Sequence, residues 1–600
     1  MNEKLTGQEF GPWNPGIESQ LPRELLTLST VFNEGNVTIS AERAHELSDF
    51  CGLPAHTLVP FRPERLIVHE LLVRVMADLA VPDGRKYEDL GINFRAIVSI
   101  ILEDYITPYT EELSNAHTSL LEQVAVFIDA ELSAELFAKS EPAEPPPEKR
   151  PFLEKIGIRR PTQEPPERSE TAERRLTRVL AAWKERANSG NSPLESACWR
   201  ALVNIITAIS GRHGKLVGDK ELICELAMTF TGNDYGSKAM GERIQLYIEK
   251  AVEEEGYRWL PAQEKPVVMN VKGASAAGKS TTRPLQRILA GKLGVPWDDF
   301  ALISPDIWRK FLLDYESLGT AYKYAGTLTG HEVEIIDKKL DAYMAEKATS
   351  GRMSHLLIDR FRFDSFVPES EGDDASKLLT RFGDLVYLFF MVTPPEATVE
   401  RAWHRGVELG RYKAVEDLLD HNVEAYTGMP QLFFTWALRT KKRVHYEFLD
   451  NSVPKGETPR TVAFGWNGEM TILDVKSMLD IDRFKKINIY ANTPSELYEK
   501  TDQAPEKNTG FLEECRKMIP KINFAEFDTG KIYGRIEGGE WAWRDEGFLP
   551  SPDLGRETCA GLTALDWKEA PLTANSRPDP ERLDPKHAQT MGRWGPAAGK

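Results

Sequence analysis

The chain has 600 residues, carries 92 Asp and Glu against 75 Lys and Arg for a net charge of −17, and is 41% hydrophobic. Such a length holds about three or four globular domains with sizeable cores. The acid excess argues against a dedicated nucleic-acid scaffold, which would bind phosphate backbones through surplus Lys and Arg.

The first residues, Met1 to Phe10, lack a hydrophobic signal core, and no apolar run approaches membrane-spanning length. The expected location is cytoplasmic, or inside a host cell after export by a non-hydrophobic signal, with no membrane partner. Cys51, Cys198, Cys224, Cys515 and Cys559 are scattered without metal-ligand spacing and read as reduced thiols.

In chain order, residues 1–140 form a helical domain, with Leu66, Val68, Leu71, Leu72, Val75, Met76 and Leu79 at helical spacing. A Pro-rich linker over 141–170 follows, its other reading being a docking motif for an SH3-like partner. A second helical domain spans 171–262, with Leu176, Val179, Leu180 and Trp183 on one face. Over 263–475 short β runs alternate with helices, as a parallel sheet requires. The candidate strands are 266–271, 300–304, 355–358, 385–392 and 444–449, and the uniformly apolar 385–392 reads as a central strand. A hairpin turns at Asn467-Gly468. An α/β appendage over 476–570 and a disordered tail over 571–600 complete the chain.

Between the first of these strands and a helix lies Gly273, Ala274, Ser275, Ala276, Ala277, Gly278, Lys279 and Ser280, followed by Thr281, which fits G-x-x-x-x-G-K-[ST] at every fixed position. Glycines let successive N–H groups converge on phosphate oxygens, and the helix N-terminus adds partial positive charge. Lys279 is expected to reach the β- and γ-phosphates and the Ser280 hydroxyl to hold Mg²⁺. The fold class that follows is an α/β P-loop NTPase with a large helical N-terminal region and a small C-terminal appendage. Pro284 breaks a local rule, since it lies beyond the free first turn of a helix begun at Thr281.

Side chains just past the strands of an open α/β sheet gather ligands. Asp306 stands where a carboxylate can accept the proton of an attacking hydroxyl or hold the metal, and reads otherwise as a helix N-cap. Asp359 ends its strand in the manner of a Walker B acid that holds Mg²⁺, or simply opens a loop. Arg401 and Arg405 lie on a helix over 396–410 and Arg411 just beyond it, suited to neutralising a moving phosphoryl group or to an ordinary solvated face. Glu332 and Glu334, on a helix over 329–348, are placed to bond a substrate hydroxyl or to face solvent. No D-x-x-G follows the loop and no N-K-x-D occurs, which argues against a Ras-like GTPase.

Residues 266–474 resemble the zeta-toxin-type kinases, P-loop phosphotransferases with this order of parts. The resemblance implies that Lys279 binds phosphate and Asp306 acts as general base. It also implies that Glu334, in Val333-Glu-Ile-Ile336, contacts the substrate sugar. Arg401, in Thr398-Val-Glu-Arg401, and Arg411 are similar to the family's two lid arginines. Where the family has a Gly- and Thr-rich substrate loop, this chain has Arg360-Phe-Arg-Phe-Asp364. That exchange turns attention from the family's usual UDP-linked amino sugar toward a larger nucleotide. Arg360 and Arg362 would grip its phosphate and the phenylalanines would stack its base. A zeta-like branch among secreted bacterial effectors phosphorylates NAD. The expectation is therefore an ATP- or GTP-dependent, Mg²⁺-dependent kinase acting on a nucleotide-like metabolite, as a toxin or effector, its helical regions docking an antitoxin or chaperone. A polynucleotide-end kinase, a P-loop ATPase and a non-catalytic nucleotide-binding scaffold remain the alternatives.

Overall fold

The computed structural model describes residues 10–86, 88–137, 171–190, 192–360, 379–545, 548, 555–569 and 582–596. The chain divides into two compact units, one containing 1–30, 72–101 and 249–600 and the other 31–71 and 102–248.

The first unit is an α/β body built on one ten-stranded sheet in the order β10-β9-β8-β7-β6-β5-β4-β1-β3-β2. Its strands are β1 (Val267–Lys272), β2 (Phe300–Ile303), β3 (His355–Ile358), β4 (Leu385–Val392) and β5 (Arg443–Asp450), then β6 (Arg460–Trp466), β7 (Glu469–Ile472), β8 (Lys521–Ala525), β9 (Ile532–Glu537) and β10 (Glu540–Arg544). The first five strands are parallel, with β1 between β3 and β4. The connection from β1 thus runs to β2 on one side and that from the neighbouring β4 to β5 on the other, which opens a crevice at the carboxyl edge where ligands bind in such sheets. The β6–β7 hairpin turns at Asn467-Gly468 as expected. Gly468 is left-handed at φ 73° and the Asn467 side chain ties the turn to Val444 N and Arg439 O.

β4 is buried at every position but its first, because helices cover both faces of a central parallel strand. On one face Phe390 packs on Phe433 of the Val415–Ala437 helix and on Phe448 of β5, with ring centroids 6.1 and 4.8 Å apart. Burying each such ring stabilises the fold by about 1.5–3 kcal/mol. Pro284, expected to weaken its helix, has a harmless place. Residues Lys279–Thr282 form a 3-10 turn and the α-helix starts only at Arg283, which puts the proline in the first turn, where no N–H is needed.

The supposed appendage is an extension of the same sheet, since β8 pairs in parallel with β7 and the β9–β10 hairpin continues it. The supposed tail also departs from expectation. Residues 571–581 and 597–600 lie outside the described residues, but 582–596 pack on the sheet. There Trp594 is 3% exposed and stacks on Phe464, and the buried Glu447 carboxylate accepts from Met591 N, Gly592 N and Thr461 Oγ1 at 2.8–2.9 Å.

The second unit is helical. The expected helical domains over 1–140 and 171–262 are divided differently: 31–71 and 102–248 form one unit, in which the Thr110–Glu135 helix packs on Pro193–His213 and Lys220–Thr231, whereas 72–101 and 249–262 belong to the first unit. Val124, Ile128 and Leu132 share one core with Trp183, Leu202, Ile206 and Leu226. Trp183 completes its hydrogen bonding through Nε1 to Glu131 Oε2 at 2.7 Å. Among the described residues no helix is long and apolar enough to cross a membrane.

Candidate active site

At the carboxyl edge of the five parallel strands, β1 runs into the glycine loop and β2 leads to Asp306. Asp359 follows β3, Thr393 follows β4 and Asn451 follows β5. The shape of the loop follows from how its backbone is held. Gly278 is left-handed at φ 95°, and a Cβ there would lie 2.3 Å from Asn451 Nδ2. Ala276 also adopts a left-handed φ of 60°, which costs a residue with a Cβ about 1–2 kcal/mol. The Ala277 carbonyl is drawn outward by Asn451 Nδ2 at 2.7 Å, Thr393 Oγ1 at 3.0 Å and Arg401 Nη1 at 3.4 Å. Because a peptide is planar and trans, the N–H of Gly278 points the other way, into the loop. An N–H left so directed is a donor of the kind anion binding uses, while the Ala277 N–H is bonded to Ala274 O.

Lys279 folds over its own loop and donates from Nζ to Gly273 O at 3.1 Å and Ala274 O at 2.8 Å. Burial pushes its ammonium below the usual lysine range, while Asp359 and Asp306 oppose that push. The two carboxylates expected to serve as base and metal ligand are therefore both in the field of the loop lysine. Ser280 follows at once, in the same 3-10 turn, and Thr281 Oγ1 closes the turn on Gly278 O at 2.7 Å.

Asp306 does not act as a helix N-cap. It lies inside the Pro305–Trp308 turn, and its oxygens accept from Arg309 Nε at 3.0 Å and Arg411 Nη2 at 2.6 Å. Surrounding protein would raise this carboxyl, but Arg411 and Arg309, with help from Arg405, overcome that and hold it well below the usual carboxylate range. Half of the side chain stays open to the cleft. Arg309 is itself fixed by Gly326 O at 2.7 Å and Thr329 Oγ1 at 2.9 Å. Arg411 is positioned by the end of the Pro395–Leu409 helix. Gly410 caps that helix in the left-handed region, and the Tyr412 ring fills the space where a Cβ on Gly406 would be.

Other expected residues sit elsewhere. Arg401 donates to the carbonyls of Ala277, Asn451 and Val453, so it braces the loop against β5 and is not aimed at a phosphate. Arg405, one helical turn later, is the arginine whose charge acts on Lys279 and Asp306. Arg360 is not a substrate grip. Its guanidinium is buried and bonds Asp337 and Asp341 of the Gly330–Thr349 helix, each at 2.7 Å. Arg362 lies outside the described residues. Glu334 is half exposed and bridged by Lys338, whereas Glu332 is fully buried.

Sequence reasoning missed Thr393 and Asn451, although both directly follow expected strands and the strand-end rule applies to them. It also missed Lys413 and His421, which meet at 2.8 Å beside this cluster and have no sequence signal of their own. A separate groove of about 650 Å³, lined by Pro430, Phe434, Lys517 and Met518 among others, lies toward the opposite end of the Val415–Ala437 helix from His421.

No protein-family model matches this chain, and neither a curated protein nor a solved structure matches it.

Proposed function

We propose that the chain is a P-loop kinase that moves the γ-phosphoryl group of ATP or GTP onto a hydroxyl of a nucleotide-like metabolite. The observation that carries this reading is the convergence of Lys279, Asp306, Asp359, Arg405 and Arg411 at one strand edge, around a glycine loop held through the Ala277 carbonyl. The resemblance of residues 266–474 to the zeta-toxin-type kinases supports it.

In this reading the loop amides and Lys279 bind the triphosphate. The hard oxygens of Ser280 and Asp359 fit Mg²⁺, which when bound would neutralise β- and γ-phosphate oxygens. Asp306 accepts the proton of the acceptor hydroxyl as its oxygen forms a bond to the γ-phosphorus. The bond from that phosphorus to the β-bridging oxygen breaks, and the nucleoside diphosphate leaves with the electron pair. Arg405 and Arg411 hold the charge on the equatorial oxygens. Arg401 keeps the loop in shape and touches no reacting atom.

The test is transfer of labelled γ-phosphate by the purified chain to NAD, UDP-N-acetylglucosamine or oligonucleotide ends, each offered separately. Label on one acceptor, lost in both Lys279→Ala and Asp306→Asn, supports the kinase. Label released only as inorganic phosphate makes the chain a hydrolase, and nucleotide binding without turnover makes it a scaffold.

A further inference from the structure

Lys413 lies two residues beyond Arg411, in the short connection that enters the Val415–Ala437 helix. Its Nζ lies 2.8 Å from Nδ1 and 3.1 Å from Nε2 of His421, two turns into that helix, and both side chains keep part of their surface open. Among the described residues, charged groups of the proposed phosphoryl-transfer cleft act on the pair. Arg405 comes from the Pro395–Leu409 helix, Arg309 and Asp306 from the segment after β2, and Asp417 from the pair's own helix. The charge of Lys279 acts on His421. Asp417 also accepts the hydroxyl of Ser19. Four cations, Lys279, Arg309, Arg405 and Arg411, thus share one region with Lys413 and with the carboxylates Asp306, Asp359 and Asp417. A site so rich in cations suits a ligand bearing several negative charges.

We infer that Lys413 is a second phosphate-binding lysine of this cleft, with His421 as the neutral partner that a phosphate displaces. The inference rests on the kinase reading for its ligand, a nucleotide's phosphate chain, but its chemistry requires only a polyanion. A lysine is a mobile point charge on a four-carbon stem and can exchange an imidazole nitrogen for a phosphate oxygen without moving the backbone. The exchange carries a proton. Burial, reinforced by Arg405 and Arg309 and opposed by Asp417 and Asp306, lowers the Lys413 ammonium to about 7. Burial, Lys413 and Lys279 keep His421 neutral. An arriving phosphate reverses the local field, raises the affinity of Lys413 for its proton and draws one from solvent at slightly alkaline pH.

The experiment is calorimetric titration of the full chain with Mg·ATP and, separately, with inorganic pyrophosphate. Each is run at slightly alkaline pH in buffers of different ionisation enthalpy, so that proton uptake is counted directly. Wild type is expected to take up a substantial fraction of a proton per ligand. Lys413→Met should take up none and bind about tenfold more weakly, the value of one charge-assisted hydrogen bond. Lys413→Arg, always charged, should bind well with no uptake. Should Lys413→Met lose its fold, the arginine variant decides alone. Undiminished uptake in either variant overturns the inference, as does absence of uptake in wild type. Lys413-dependent uptake on pyrophosphate without any phosphoryl transfer would leave this subsite standing and sink the kinase reading. Transfer with uptake independent of Lys413 would do the reverse.

Discussion

The guanidinium of Arg411 lies 2.6 Å from the carboxylate of Asp306, so the base and one transition-state cation of the proposed reaction are bonded to each other. A phosphate competing for Arg411 would loosen that bond and make Asp306 a stronger proton acceptor, since the cation that depresses it has been drawn away. In the proposed reaction, base strength and phosphate binding would be coupled through this one arginine.

Replacing that arginine therefore has two effects of different kind. Arg411→Met should lower kcat by about a hundredfold or more, the scale for removing one donor to a developing negative charge. It should also shift the acid limb of the pH–rate profile upward. Protonated Asp306 is inactive, and losing Arg411 leaves burial less opposed, so the carboxyl takes up its proton at higher pH than in wild type. A profile whose acid limb stays in place would refute the coupling.

Gly278→Ala tests the shape of the loop. Ala276 already tolerates a left-handed φ, so backbone conformation alone costs little more than about 1–2 kcal/mol. The new Cβ would however meet Asn451 Nδ2 at 2.3 Å and push it off the Ala277 carbonyl. Nucleotide affinity should fall by at least about tenfold, because the carbonyl is no longer held outward. Asn451→Ala should weaken binding in the same direction with a smaller stability cost, about 1 kcal/mol for one hydrogen bond. Equal affinities across wild type and both variants, measured by fluorescent nucleotide titration, would show that the Ala277 carbonyl does not govern the loop.

Arg360 separates a structural role from a substrate role. Removing it strands two largely buried carboxylates, Asp337 and Asp341, at a cost of about 3–5 kcal/mol. Arg360→Met should accordingly lower Tm strongly. The triple change Arg360→Met, Asp337→Leu, Asp341→Asn should recover most of the loss, because no buried charge is left uncompensated. A variant with unchanged Tm and a raised KM for the acceptor would return Arg360 to the substrate site.

The parallel strands were legible as short, largely apolar runs, three of which give way directly to Asp359, Thr393 and Asn451, and β3 and β4 fall on the expected residues. The last hairpin was equally open to reading. Gly538-Gly539 stands between β9 and β10, and Trp541 and Trp543 alternate with Glu540, Ala542 and Arg544, the period of a half-buried strand. What sequence could not supply was partnership. Arg360 beside Phe361 looked like a ligand grip, and its carboxylate partners lie 23 and 19 residues earlier on a helix. Arg401 and Arg405 share a helix face, and only the folded loop shows that the first braces carbonyls while the second acts on the cleft.

Glu447 offers the clearest dependence on pH. This carboxyl is fully buried on β5, and burial raises it to about 7 despite the N–H groups of Met591 and Gly592 and the hydroxyl of Thr461, which favour its charged form. Its folded value thus lies above the ordinary glutamate value of 4.5, and the folded state binds more protons than the unfolded one between those limits. The stability it contributes is full below about 4.5 and is lost as pH rises through about 7. The size of the change is at most about 3 kcal/mol. Denaturant unfolding across this window should show that decline in wild type and a flatter course in Glu447→Gln. The glutamine must also turn its NH₂ toward a backbone N–H, so it loses one of the bonds that hold residues 591 and 592 against the sheet. Limited proteolysis should then release the C-terminal segment faster from the variant than from wild type. Equal cleavage rates would mean that Trp594, stacked on Phe464, anchors the segment without help from the carboxylate.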